Sequence, residues 1–249
     1  MTPSSDARFP PAAIVGGDVA VAHRMNRLNR GCAVAFSLGG SLFALGAVLA
    51  QLGVGSLATV NITYLVGGFF FSLGGYLLIV LVGNVTRDER APGEVERMRW
   101  WSFQPHQRGW QSAAVLFAGT LLFAVSLVAA FAEGLTPRQS NGWIWLPDIT
   151  GCVCFLVSGH LALLEVCDGR VGTRIHDLGW WVVAVNQLGS VLFFLAGIAA
   201  FTRPATSTAL DVGLVNWGTF AGAVCFAVGG VMQMFDKPTP TRTVVRPTP

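Results

Sequence analysis

The sequence predicts an all-α integral membrane protein with six transmembrane helices, arranged as three tandem two-helix hairpin repeats with both termini in the cytoplasm. Of its 249 residues, 53% are hydrophobic and only 12% are charged, about half the charged share typical of a soluble domain. The apolar residues form blocks long enough to cross the hydrocarbon core, for which about 20 residues suffice. Two short signatures built on glycine and phenylalanine alternate along these blocks.

Six spans are predicted from the apolar blocks, at roughly residues 31–54, 60–83, 111–132, 145–166, 180–201 and 212–235. Taken in pairs, they predict hairpin repeats at 23–83, 111–166 and 180–235, joined by cytoplasmic loops at 84–110 and 167–179. Residues 1–22 show no periodic pattern, and the Pro/Thr-rich tail 236–249 cannot form a helix. We expect both of these segments to be disordered.

The positively charged residues predict the orientation. Of the sixteen Lys and Arg residues, fourteen lie before the first span, in the two predicted cytoplasmic loops or after the last span. Only Arg138 and Arg203 remain for the opposite side. Positive residues concentrate on the cytoplasmic side of membrane proteins, so both termini are predicted to be cytoplasmic. Fifteen of the sixteen are arginine, which favours a bacterial source and hence the bacterial inner, or plasma, membrane.

Internal repetition predicts the hairpin arrangement. The odd-numbered spans share Gly-x-x-Leu-Phe, and the even-numbered spans share a glycine followed by phenylalanine four residues later and glycine eight residues later. Successive copies are 80 and 70 residues apart in the first set, and 84 and 71 residues apart in the second. The first set comprises Gly39 and Phe43, Gly119 and Phe123, and Gly189 and Phe193. The second comprises Gly67, Phe71 and Gly75; Gly151, Phe155 and Gly159; and Gly222, Phe226 and Gly230.

This spacing has a physical use in a membrane. Glycines eight residues apart lie on nearly one face of a helix, with the phenylalanine between them. In a bilayer the hydrophobic effect does not drive helices to associate, because the lipid chains are themselves apolar. Close packing does so instead, and small residues let the helix backbones approach closely. We therefore predict that each odd helix packs on its even partner through these faces.

Two of the even spans carry a family resemblance. The segments "WLPDITGCVCFLVSGHLALLEV" and "NITYLVGGFFFSLGGYLLIV" resemble the second helix of the YrhK-like domain, a short two-helix bacterial membrane module. The matching positions are Asp148, Gly151 and Phe155 in the first segment, and Asn61, Gly67 or Gly68, and Phe71 in the second. Cys152 stands where the family pattern has serine. The resemblance implies a tandem array of such modules and no activity, because that family has no established function.

One polar group inside the spans is a candidate site. His160 lies about six residues before the predicted cytoplasmic end of the fourth span, roughly 9 Å deep. Asn186 and Gln187 lie at about the same depth in the fifth span. The functional hypothesis is a polar pocket open to the cytoplasm, and the structural alternative is an interhelical hydrogen bond of about 0.6 kcal/mol. Asp148 is interpreted as an acidic residue at a helix start, where it complements the helix dipole.

The sequence favours a non-enzymatic structural or interaction module. It contains no buried acidic pair, no nucleophile with a positioned base and no metal-ligand spacing, so no catalytic residue, metal or cofactor is predicted. The expected partners are the lipid bilayer and a second copy or another membrane protein, without nucleic acid. Two alternatives stay open: permeation of a small solute or ion near His160, and a sensor that uses the 84–110 loop.

Overall fold

The computed structural model describes residues 16–85, 98–170 and 172–236. The predicted disordered segments at 1–22 and 236–249 lie mostly outside these ranges, and so does much of the 84–110 loop. Within the described part the chain is helical and has no strand longer than one isolated bridge. Six of its helices are long and apolar enough to cross a membrane, which confirms the predicted number of spans.

The helices follow the predicted order, with one extra short helix before the fourth span. Their bounds are α1 Gly16–Leu52, α2 Leu57–Val85, α3 Arg108–Ala129, α4 Pro137–Ser140, a π-helical turn Asn141–Trp145, α5 Leu146–Val166, α6 Leu178–Ala199 and α7 Val212–Gln233. We call the end of the bundle at the α1–α2, α3–α4 and α6–α7 connections the distal end. The opposite end, with the α2–α3 and α5–α6 connections, is the proximal end.

The fourth span begins earlier than the sequence predicts. A capping box starts α4, in which the Thr136 hydroxyl accepts from the Gln139 backbone N–H at 3.3 Å while Gln139 Oε1 accepts from the Thr136 backbone N–H at 3.0 Å. Pro137 follows at the first helical position, which suits its fixed φ. The helical run then continues through the π-helical turn into α5, so Asp148 lies well inside the run and does not cap its start.

The six long helices form a closed ring. Each contacts the next in the order α1, α2, α3, α5, α6, α7, and α7 packs back against α1. Closure brings the backbones of α1 and α7 together at Gly40, where an added Cβ would lie 2.7 Å from the backbone nitrogen of Ala227 and 2.8 Å from the backbone oxygen of Ala223. Large apolar side chains, such as Val34, Leu38 and Leu45 on α1, face outward, as expected of a surface in contact with lipid.

Replacing Gly40 with alanine is expected to destabilise the ring. The new methyl group would overlap backbone atoms of α7, which cannot move without separating the helices, and overpacking of this kind costs about 1–3 kcal/mol. The measurement is thermal unfolding of the purified protein in one detergent. Gly142→Ala is the control, because an added Cβ there meets nothing within 4 Å. Equal melting temperatures for Gly40→Ala and the wild type would contradict the close α1–α7 contact.

Candidate functional site

The centre of the ring is filled by six phenylalanines, one from each long helix. They are the six phenylalanines of the sequence signatures, and we call them the phenylalanine cluster: Phe43, Phe71, Phe123, Phe155, Phe193 and Phe226. All six are buried. The three from α1, α3 and α6 form one triangle, with ring centroids 6.4, 6.1 and 6.1 Å apart. The three from α2, α5 and α7 form a second triangle, with centroids 6.0, 5.1 and 5.9 Å apart.

Three further ring contacts connect the two triangles. Phe43 meets Phe71 at 6.0 Å, Phe123 stacks on Phe155 at 5.1 Å, and the third pair, from α6 and α7, meets at 5.3 Å. Aromatic pairs at such distances contribute about 0.5–1.5 kcal/mol each. The cluster leaves a cavity of only about 10 Å³, at the lower limit for one water molecule. The axis of the bundle is therefore closed by aromatic rings at this depth.

Glycines of the signatures make room for these rings. On α1, Gly39 packs against the ring of Phe71, while Gly67 on α2 packs against the ring of Phe43. An added Cβ at Gly39 would lie 2.8 Å from Phe71 and 3.0 Å from the backbone oxygen of Gly67. We call this reciprocal contact, in which a glycine of each helix packs against a phenylalanine of the other, a glycine–phenylalanine exchange. It recurs between α3 and α5 and between α6 and α7, with the pairs Gly119–Phe155, Gly151–Phe123, Gly189–Phe226 and Gly222–Phe193. Each exchange brings two helix backbones into direct contact.

The last glycine of each even-helix signature faces the following helix of the ring instead. Gly75 on α2 lies against Phe117 on α3, and an added Cβ would be 3.4 Å from its ring. Gly159 on α5 lies against the Gln187 side chain on α6. Gly230 on α7 lies against α1, where an added Cβ would be 2.9 Å from the backbone oxygen of Ala33. These glycines thus lie at the other three interfaces of the ring, α2–α3, α5–α6 and α7–α1.

Side-chain N–H groups connect the same three interfaces near the distal end. Asn61 Nδ2 donates to the backbone oxygen of Ala130 at 2.9 Å, from α2 to the end of α3. Trp145 Nε1 donates to the backbone oxygen of Gly197 at 2.9 Å. Asn216 Nδ2, from α7, donates to Oε1 of a glutamine on α1 at 3.0 Å. Interhelical hydrogen bonds inside a membrane contribute about 0.6 kcal/mol on average, so they fix the register of helices that glycine packing brings together.

The predicted pocket residues lie in different surroundings. The His160 side chain is exposed on the outer face of α5, in one stripe with Leu146, Val153 and Val157. Asn186 faces α7, where its amide lies against Gly229. Among the residues that the structure describes, none hydrogen-bonds to the His160 imidazole.

Gln187 is directed toward α5. Its Nε2 donates to the backbone oxygen of Leu156 at 3.3 Å, and its amide lies against Gly159, the residue before His160. The buried Oδ1 of Asn186 and Oε1 of Gln187 accept no hydrogen bond. The two amides therefore fill gaps between α6 and its two neighbouring helices, α7 and α5, and neither is bonded to His160.

The distal end carries a feature that the sequence reading did not predict. A cavity of about 240 Å³ lies between the α3–α4 and α6–α7 connections, and the side chains of Ser140, Thr202 and Ser207 line it. Asn141 holds one wall through two 2.8 Å hydrogen bonds with the Thr202 backbone, donating from Nδ2 and accepting at Oδ1. The sequence gives only a weak indication of this cavity, because the hydroxyl residues that line it are scattered over two separate connections. In the described ranges, no three His, Cys, Asp or Glu side chains converge on a metal position.

Comparison of the chain with protein-family models, with curated proteins and with solved structures found no match. The resemblance to the YrhK-like domain therefore stays a prediction from the residues. The function has to be argued from the contacts of the chain itself.

Removing a ring from the phenylalanine cluster is expected to destabilise the bundle strongly. Phe71→Ala deletes contacts with four other rings, and comparable truncations in protein cores cost about 3–5 kcal/mol. Phe69→Ala on the same helix is the matched control, because Phe69 is 66% exposed. Thermal unfolding in one detergent compares the two. If both variants melt at the same temperature, the cluster is not the centre of packing.

His160→Leu is expected to melt at or above the wild-type temperature at pH 5.5 and at pH 7.5. The substitution removes an imidazole that has no hydrogen-bond partner in the described structure and adds an apolar side chain to a lipid-facing stripe. Gln187→Leu is the comparison, because it removes the hydrogen bond to Leu156 and is expected to lower the melting temperature. A loss of several degrees in His160→Leu would instead reveal a protein partner for the imidazole.

Proposed function

We propose that this chain is a non-enzymatic structural or interaction module of the bacterial cell membrane, built from three tandem YrhK-like two-helix hairpins with both termini in the cytoplasm. The observation that carries the proposal is the phenylalanine cluster, which closes the bundle axis and ties all six long helices together. A closed, mutually packed bundle suits a module that holds its shape. A permeation pathway along the axis would have to displace six rings.

The contacts support the repeat. The ring pairs Phe43–Phe71 and Phe123–Phe155, and the corresponding pair between α6 and α7, connect residues at the offsets that separate the sequence signatures. The glycine–phenylalanine exchanges recur at the same offsets, and so do the donors Asn61, Trp145 and Asn216. Three kinds of contact with one spacing favour three copies of a hairpin around an axis along the membrane normal.

The even number of spans supports the orientation, because it brings both termini to the same side of the membrane. The fourteen-to-two distribution of Lys and Arg favours the cytoplasm as that side.

The proximal α2–α3 connection supplies the surface through which we propose that the module interacts. Its described part is anchored to the bundle: Asn84 exchanges two hydrogen bonds with the Arg99 backbone, and the Tyr76 hydroxyl donates to the backbone oxygen of Trp100 at 3.2 Å. Trp110 Nε1 donates to the backbone oxygen of Ser102 at 2.8 Å. Three aromatic side chains are largely exposed on this anchored segment, namely Trp100, Trp101 and Phe103. We call them the aromatic surface. The Phe103 ring also packs edge-on against Trp110 at 5.1 Å.

Affinity purification from native membranes in a mild detergent tests the interaction. We expect the wild type to retain a stoichiometric partner or a second copy, and we expect the triple variant Trp100→Ser, Trp101→Ser, Phe103→Ser to lose it. Trp143→Ser is the matched control, because Trp143 is an equally exposed aromatic at the distal end. A wild type that is intact but alone, or a triple variant that keeps the partner, would contradict the proposal.

A further inference from the structure

Two of the three distal connections are longer than a helical hairpin requires. Residues 53–56 are enough to join α1 to α2. The corresponding connection at 130–136 is extended by α4 and the π-helical turn, and the third runs over 200–211. These two longer connections enclose the cavity of about 240 Å³. The glycine–phenylalanine exchanges do not need this additional chain, and connections held on a rigid scaffold often carry binding sites.

The walls of the cavity are fixed by contacts between the two connections. Asn141 makes two 2.8 Å hydrogen bonds with the Thr202 backbone. The Trp145 ring packs edge-on against the Phe201 ring at 5.1 Å. An isolated bridge between Thr202 and Ala209 closes the longer connection on itself. The cavity is therefore formed before any ligand arrives, which lowers the ordering cost of binding.

Ser207 has an unusual backbone conformation where it lines the cavity. Its φ is 56°, in the left-handed region that glycine adopts easily and other residues seldom adopt. Residues held in such conformations are frequent at ligand sites. Within the part of the chain that the structure describes, the Ser207 hydroxyl has no hydrogen-bond partner. This hydroxyl is thus held at the cavity on a strained backbone and is free to bind a ligand.

The lining combines hydroxyl groups with apolar side chains. The hydroxyls are those of Ser140, Thr202 and Ser207, and the larger apolar side chains are Leu135, Pro137 and Ile144. Ser140 Oγ and Thr202 Oγ1 lie 3.4 Å apart, and each keeps further hydrogen-bonding capacity. Because a hydroxyl both donates and accepts, this lining is complementary to the hydroxyl groups of a ligand.

The charged side chains of the two connections do not line the cavity. Glu133, Arg138 and Arg203 are exposed and lie outside the lining. The Arg203 guanidinium donates to the backbone oxygen of Leu210 at 2.8 Å, and Asp211 caps α7. A charged ligand enclosed here would lose hydration without gaining an opposite charge, which costs far more than enclosing a neutral hydroxyl group. The cavity therefore favours a neutral ligand.

We propose that the distal cavity binds a neutral polyhydroxylated ligand about the size of one monosaccharide, either as a free sugar or as the sugar headgroup of a glycolipid. Its volume equals the share of about eight water molecules and lies below the range of about 300–1,000 Å³ for drug-sized ligands. The three hydroxyls bind those of the ligand, and the apolar side chains contact its C–H groups. Ala132 and Ser207 are exposed, so the ligand enters from the distal surface.

Saturation-transfer difference NMR on the full-length protein in phosphatidylcholine nanodiscs tests the site, with empty nanodiscs as the blank. Nanodiscs are used because maltoside and glucoside detergents carry sugars that would compete. The probes are the methyl glycosides of glucose, galactose and mannose, and we expect a saturable signal from at least one at millimolar concentration. Nanodiscs that also contain a glycolipid with the same sugar identify the source. Loss of the signal there indicates a glycolipid headgroup, and an unchanged signal indicates a free sugar.

Variants assign the signal to the cavity. Ser207→Gly should weaken the apparent affinity about fivefold, the loss expected for one neutral hydrogen bond. It should also melt no lower than the wild type without ligand, because glycine adopts this φ without strain. Ala132→Phe should abolish the signal by filling the cavity. Thr206→Ala is the matched control, because the Thr206 hydroxyl pairs with that of Thr208 at 2.8 Å and does not line the cavity.

Three results would overturn the site. The first is the absence of a saturable signal from every methyl glycoside. The second is a set of titrations in which Ser207→Gly and Ala132→Phe both match Thr206→Ala. The third is competition-proof binding of inorganic phosphate, followed by ³¹P NMR, in a protein that binds no glycoside, which would assign the cavity to anions. These outcomes are separate from the affinity purification, which tests the aromatic surface at the opposite end.

Discussion

The fold depends on one interaction, the contact of a phenylalanine ring with a glycine on the neighbouring helix. Lipid chains are as apolar as leucine, so burial of apolar surface does not drive transmembrane helices together, and close packing has to do so. Glycine supplies the notch and phenylalanine supplies the contact area. Because Gly39 faces Phe71 and Gly67 faces Phe43, each helix both gives and receives a ring. The other two helix pairs make the same exchange, and the six rings then meet on the axis.

The sequence predicts this interaction better than it predicts the ring that results. Apolar length identifies the spans, and the signatures identify each of the six phenylalanines that form the cluster. The closure of α7 on α1 is not readable from the chain, because it depends on backbone contacts such as that of Gly40 with Ala223 and Ala227. The hydrophobic pattern also does not predict the early start of the fourth span. The polar and aromatic residues between Thr136 and Trp145 interrupt the hydrophobic block, although the capping box and the π-helical turn keep the chain helical.

The candidate polar pocket shows a second limit of the sequence. Depth along a helix follows from counting residues at 1.5 Å each, so His160, Asn186 and Gln187 could be assigned to one layer. Which way each side chain points depends on the neighbours of its helix. Asn186 and Gln187 are adjacent in the chain and about 100° apart around α6, and they face α7 and α5 respectively. His160 is one residue beyond the groove that Gln187 fills, and it faces outward.

The glycine–phenylalanine packing of the bundle does not account for Asp148, whose carboxylate lies against Gly197 on α6. The glycine–phenylalanine exchange needs glycine or another small residue only at the contacts, which leaves the position seven residues before each inner phenylalanine free to vary. Tyr64, Asp148 and Thr219 occupy these positions with three different side chains that all carry oxygen. Packing alone would be served by leucine or alanine there, without the cost of a carboxylate in the membrane.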